Sequence, residues 1–220
     1  MRNSSRSSTI RVLTALLIVV SADVSSAHRR DAYLQAARLG IEPDRVQIEV
    51  DLTPGIAVAG QVLAEVDGDA NRSISSDETR AYAERVLSAI ALDVDGVPVP
   101  LTLVDSFVPA TDAVLEGEGT IRIRAVARIP LLADGSHHLR FRNAFRPDLG
   151  VYLANTLMPV GDRVTIRAQE RDVDQRELLV DYNLRGDPAT RLRQGLTVGF
   201  TGAIVLVANV WWRRRPREDV

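Results

Sequence analysis

The sequence predicts a mainly β protein, an antiparallel β-sandwich carrying one helical insertion and followed by one membrane-spanning helix. Three observations lead there. Several segments alternate apolar and polar residues with a period of two, the mark of half-buried strands. Between the first two of them lies a stretch with helical periodicity on both sides of an acidic loop. Near the end, 17 uncharged residues run from Leu196 to Trp212.

Taken in chain order, Val46, Ile48, Val50 and Leu52 alternate with Gln47, Glu49 and Asp51, which reads as the first strand. Pro54-Gly55 closes it. Ala57 to Val66 reads as a short helix with Val58, Val62, Leu63 and Val66 on one face, and Ser76 to Ile90 as a second, carrying Tyr82, Val86, Leu87 and Ile90. Segments 91–93 and 97–104 flank Asp95-Gly96, a hairpin turn signal. Ile121, Ile123, Ala125 and Ala127 alternate with arginines, as do Leu139 and Phe141. Segments 164–168 and 178–184 form a last hairpin across a polar linker. Six or seven such strands suit an immunoglobulin-like architecture with the helical insertion at residues 55–91.

The loop between the two helices, Asp67 to Glu78, carries oxygen donors at regular spacing. Calcium takes six to eight oxygens, and a twelve-residue loop can supply them from positions one, three, five, seven, nine and twelve. Here those positions are Asp67, Asp69, Asn71, Ser73, Ser75 and Glu78, with Ile74 at position eight as an apolar anchor. In this window the chain resembles the EF-hand family. The resemblance implies Ca²⁺ as the bound ion and a bidentate Glu78. One position departs from the pattern. Position six is normally glycine, because the chain turns there with positive φ, and here it is Arg72; a side chain in that conformation costs roughly 1–2 kcal/mol. A plainer reading of the same residues is an acidic helix N-terminus capped by Ser or Asp.

The two ends assign a location. Arg2, Arg6 and Arg11, then an apolar run over 12–20, then Ser25-Ser26-Ala27, read as a signal peptide over residues 1–27. The segment 196–212 spans about 26 Å as a helix, enough for a single membrane pass. Trp211 and Trp212 stand where an interfacial aromatic belt is expected, and Arg213-Arg214-Arg215 place the tail, 213–220, in the cytoplasm. The body, 28–186, is then periplasmic, joined by a tether over 187–195 to the cell inner membrane.

Composition narrows the chemistry. Cysteine is absent and all 27 basic residues are arginine, which excludes thiolate and lysine Schiff-base catalysis. Over residues 28–195 there are 20 Arg against 26 Asp and Glu, a net charge of −6 that opposes nucleic-acid binding. Ser136, His137, His138 and Asp134 invite a hydrolase reading, but neighbours on a strand point to opposite faces, and a hairpin end is the simpler account. Arg140 and Arg142 share one strand face and read either as an anion fork or as a face paired with local acids such as Asp148. His28, at the expected cleavage point, offers an amine and an imidazole to nickel or copper. Ala27-His28, the acidic loop and the membrane helix are also similar to the extracytoplasmic N-terminal region of hydrogenase/urease accessory-type nickel permeases. That resemblance implies an accessory chaperone or sensor role only, since those permeases have several membrane helices. The leading expectation is a non-enzymatic calcium-binding module, structural or interacting with an unidentified protein partner.

Overall fold

The computed structural model describes residues 31–186, and the signal peptide, His28, the tether, the membrane helix and the tail expected above lie outside them. The described chain is mainly β, with ten strands in two five-stranded sheets. The strands are β1 (Tyr33–Ile41), β2 (Arg45–Pro54), β3 (Ile90–Val94), β4 (Val97–Pro98), β5 (Leu101–Phe107), β6 (Ile121–Arg128), β7 (Gly135–Asn143), β8 (Gly150–Thr156), β9 (Val164–Arg171) and β10 (Glu177–Leu184). Helices α1 (Ile56–Val66) and α2 (Ser76–Ser88) lie between β2 and β3, and the short α3 (Thr111–Leu115) between β5 and β6. No helix among the described residues is long and apolar enough to cross a membrane.

One sheet runs β5-β6-β2-β1-β8 and the other β4-β3-β7-β10-β9. The alternation expected of β2 is present: Val46, Ile48, Val50 and Leu52 are all buried, and Gln47, Glu49 and Asp51 face outward. Opposite them, Leu139, Phe141, Leu178 and Val180 point inward from the second sheet, and both sets belong to one continuous apolar cluster. That shared cluster is what holds two sheets together, since each has one apolar face to remove from water.

Three features correct the reading from sequence. The first is β1, which precedes β2, so the helical insertion follows the second strand. The second is β8, which pairs with β1 in parallel, Tyr33 opposite Gly150 through Leu39 opposite Thr156, so the sheets are not wholly antiparallel. The third is the segment 97–104, which is not one strand. Pro98 and Pro100 lack the N–H a ladder needs, and the chain leaves the second sheet after β4 and joins the first as β5. The turn before it is as expected: Asp95 and Gly96 both have positive φ (52° and 77°), the requirement of a type I′ hairpin.

A buried polar network explains why β1 and β8 sit together. Gln35, on the inward face of β1, is 1 % exposed and donates through Nε2 to the Phe145 carbonyl at 2.8 Å. It accepts from Asn143 Nδ2 at 2.9 Å, while Asn143 Oδ1 accepts the Phe145 N–H at 2.9 Å. Tyr152 of β8 donates to the same Phe145 carbonyl at 2.7 Å. Gly150 leaves room for this arrangement: a Cβ there would stand 2.6 Å from the Tyr152 hydroxyl oxygen and 2.8 Å from Gln35 Nε2.

Candidate metal centre

Helix α1 begins after Gly55, whose carbonyl accepts from Val58 and Ala59, and it buries Val58, Ala59, Val62, Leu63 and Val66. Its last hydrogen bond brings the Asp67 N–H to Leu63 O at 2.8 Å, so the loop starts directly at the helix end. Helix α2 begins with a capping box, in which Ser75 Oγ accepts from the Glu78 N–H and Glu78 Oε2 accepts from the Ser75 N–H at 2.9 Å. Asp77 and Glu78 lie in its first turn, where the helix dipole favours negative charge.

Between these ends the loop folds back on itself. Carboxylate oxygens of Asp67, Asp69 and Glu78 all lie within 4.8 Å of one another, the only cluster of three or more His, Cys, Asp or Glu of that kind among the described residues. These are positions one, three and twelve of the expected ligand set. Backbone amides hold each carboxylate in place. Asp67 accepts from the N–H groups of Asn71 (3.1 Å) and Arg72 (2.7 Å), Asp69 accepts from Asn71 (3.1 Å), and Glu78 Oε1 accepts from Asp69 (3.3 Å). The Glu78 carboxyl is held below its ordinary range, first by the Ser75 N–H and then by the Ser75 hydroxyl, with burial pulling weakly the other way. It is therefore ionised at neutral pH.

The remaining expected ligands are placed differently. Asn71 lies alongside, but its Oδ1 accepts the Ser73 N–H at 2.7 Å and its Nδ2 donates to Asp69 Oδ2 at 2.7 Å. Ser75 Oγ is engaged with Glu78 in the cap at 2.8 Å. Ser73 enters the loop's hydrogen bonding through its N–H. Ile74 packs against the core clusters from position eight, as the spacing requires.

The departure at position six is accommodated by strain. Arg72 has φ 68° and Ala70 φ 58°, both left-handed. Because the bend is already in place, replacing Arg72 by Gly relieves strain before any ion arrives. Arg72→Gly is expected to raise stability by about 1 kcal/mol, with calcium affinity changing less. Thermal melts and calcium titration of the same variant check both halves of that statement.

The helix pair is tied to the body by Tyr82, which helical spacing places on the apolar face, and by Tyr33, Glu65 and Phe145, which spacing did not single out. Tyr82 of α2 and Tyr33 of β1 share a buried hydroxyl–hydroxyl bond of 2.6 Å, and Phe145 meets both rings edge-on, at 6.5 and 5.9 Å. Arg146 bonds Glu65, near the end of α1, and forks onto Asp148 at 3.0 and 2.9 Å. Arg85 of α2 donates to the Glu65 carbonyl at 3.2 Å. Glu65 stands two residues before Asp67, so the entry to the loop is held from two sides. Arg140, read above as half of an anion fork, is bidentate on Glu177 at 2.8 and 3.1 Å.

The histidine pair has a structural geometry. Ser136 Oγ donates to Asn183 Oδ1 at 2.8 Å, and His138 Nδ1 meets Asp181 at 2.7 Å. His137 is buried, with Nδ1 on Asp95 Oδ2 at 2.7 Å and Nε2 on the Ala133 carbonyl at 2.8 Å. Both partners only accept, so the ring fits best as the doubly protonated cation. Burial is the largest single influence on His137 and pulls its pKa down, but the Asp95 bond, the Ala133 carbonyl and the Asp95 charge together leave it raised above 6.5. For Asp95, burial pushes the pKa up, and the His138 N–H and the His137 bond outweigh it, leaving it lowered below 3.8. A raised histidine adds stability that is complete below 6.5 and lost as pH climbs through its folded value. The lowered Asp95 adds stability present above 3.8 and lost as pH falls through its own depressed value. Melting temperature should therefore drop as pH rises from 6.5 through the raised folded value of His137, and Asp95→Asn, which keeps the positive-φ turn, should flatten that drop.

No family model matches the chain, and neither a curated protein nor a solved structure matches it.

Proposed function

We propose that this chain is a membrane-anchored, extracytoplasmic calcium-binding protein whose 67–78 loop holds the ion, and that it acts as a structural or interaction module without catalytic chemistry. The observation that carries the reading is the convergence of the Asp67, Asp69 and Glu78 carboxylates within 4.8 Å, on a backbone bent left-handed at Arg72. Three negative charges held this closely repel one another, and a divalent cation among them relieves that repulsion. All the donors are oxygen, which favours calcium over nickel or copper, whose preferred ligands include imidazole. Asn71 completes the first ring by turning its amide oxygen from the Ser73 N–H to the ion. The two-sheet body serves as a sandwich of immunoglobulin-like architecture with one parallel pair added. The apolar run at 196–212 anchors it in the inner membrane, with the signal peptide at 1–27 directing the body to the periplasm.

Calcium titration of the full chain in detergent, followed by calorimetry, tests the assignment. Glu78→Gln is the informative partner, because glutamine serves at the same position of a capping box while lacking the charge and the bidentate carboxylate. A lone extracellular-type loop is expected to bind with Kd on the order of 10⁻⁴–10⁻³ M, and Glu78→Gln to weaken binding at least about tenfold, or ~1.4 kcal/mol. At one hundred times Kd, calcium should add about 2.7 kcal/mol of stability, or roughly 5–11 °C in melting temperature. Equal heats from the two proteins would end the assignment.

A further inference from the structure

We propose that the end of the β-body formed by loops 129–134 and 157–163 rests on the membrane surface, with Leu131, Met158 and Val160 inserted at the lipid boundary. The inference depends on the anchor at 196–212 proposed above.

Three connections and the chain's exit share this end. The Ile129 N–H bonds Asp44 O in the β1–β2 turn at 3.0 Å, and the Leu157 N–H bonds Leu39 O near the end of β1 at 2.8 Å. Leu184, at the end of β10, is paired with Gly135 on one side and Val164 on the other, and the Arg185 N–H bonds Arg163 O at 2.8 Å. Gly186, the last residue described, therefore leaves the body beside both loops. Nine residues, 187–195, separate it from the apolar run, a reach of at most about 36 Å from Gly186 to Leu196. The membrane cannot be farther than that from this end.

The loops are suited to that neighbour. Leu131 is 94 % exposed, Met158 91 % and Val160 98 %. Water solvates such tips poorly, whereas aliphatic side chains partition into the boundary between headgroups and acyl chains. The charges around them are mixed, with Glu42 and Asp44 bonded to Arg45 and Asp162 beside Arg163. Attachment thus relies on apolar insertion and the short tether rather than on attraction to anionic lipid. Val173 is equally exposed but caps the β9–β10 turn at the opposite end. Exposure alone does not separate it from the other tips; the position of the chain's exit does. Helices α1 and α2 also join the body at that opposite end, after Pro54 and before Ile90.

The chain has no cysteine, so single labels are clean. Leu131→Cys, Met158→Cys, Val160→Cys and Val173→Cys, each carrying an environment-sensitive fluorophore, would be reconstituted as full chains into phosphatidylcholine–phosphatidylglycerol vesicles containing chain-brominated lipid as quencher. The expected result is a blue shift and loss of most emission at 131, 158 and 160, with neither at 173. If the chain floats with the vesicles but the three loop labels are quenched no more than the one at 173, the inference falls and the anchor stands. A blue shift without lipid quenching means that protein, such as a second copy, covers the tips, and also overturns it. A chain left in the aqueous fraction removes the anchor and this inference together.

Discussion

Tyr82→Ala is expected to destabilise the protein by about 3–5 kcal/mol and to lower its melting temperature by roughly 6–20 °C. Tyr82 is fully buried, at 0 % exposure, and is the largest of the buried side chains of α2. Its removal opens a cavity between α2, Phe145 and β1, and it leaves the Tyr33 hydroxyl without its 2.6 Å partner. Burial pushes the Tyr82 pKa to about 12, the largest of the influences on it, against the Tyr33 bond and Arg85, which pull it down. Tyr33 is raised well above 10, again first by burial. Both hydroxyls stay neutral across the physiological range, so this tie, unlike the His137–Asp95 pair, does not respond to pH there. Tyr82→Phe separates packing from hydrogen bonding: it keeps the ring and should cost only about 1–3 kcal/mol, the penalty of one unpaired buried hydroxyl. Calcium affinity should fall with Tyr82→Ala as well, because Glu78 sits one turn before Tyr82 and depends on α2 being held. A melting temperature within two or three degrees of the parent's, measured by circular dichroism, would contradict this account of how the helix pair is fastened.

Asn143→Leu is the second large effect, about 2–5 kcal/mol, because it strands two buried groups at once. Without the amide, Gln35 Oε1 loses its donor and the Phe145 N–H its acceptor, each across 2.9 Å in the parent protein. Leucine restores apolar volume but neither bond, so the penalty is of desolvation rather than of a void. Gln35→Leu removes the complementary partner. The two substitutions together should cost less than their sum, by roughly 0.5–3 kcal/mol, since Gln35 Oε1 no longer exists to be left unpaired. Additive losses in urea unfolding would mean that the two amides are not coupled. The prediction also bears on the loop, because the connection after Asn143 carries Phe145 and Arg146, the residues that meet Tyr82 and Glu65.

Local spacing revealed strands wherever charged side chains alternate with inward apolar ones along the segment, as in β2, β6 and the Leu139–Arg142 part of β7. β1 breaks that rule because Gln35 faces inward and Arg38 is its one charged outward residue, and β8 because Val151 and Leu153 face outward, so neither shows clean alternation. Their parallel pairing joins residues more than a hundred positions apart, which no window of sequence contains. The six candidate donor positions could be read from spacing because they lie in a single short peptide. The structure brings three of them together and gives Asn71 and Ser75 other partners.

What the amino-acid order determined by itself is therefore the short-range content: alternation, helix caps, the Asp95-Gly96 turn, and acids spaced to meet around one bend. Only the tertiary structure decided that the bend forms with an arginine in it, and that Tyr33, Glu65, Phe145 and Arg146 grip the helices on either side. The physical reason is that hydrogen bonds and periodicity act over a few residues, whereas packing joins whichever surfaces the whole chain brings into contact.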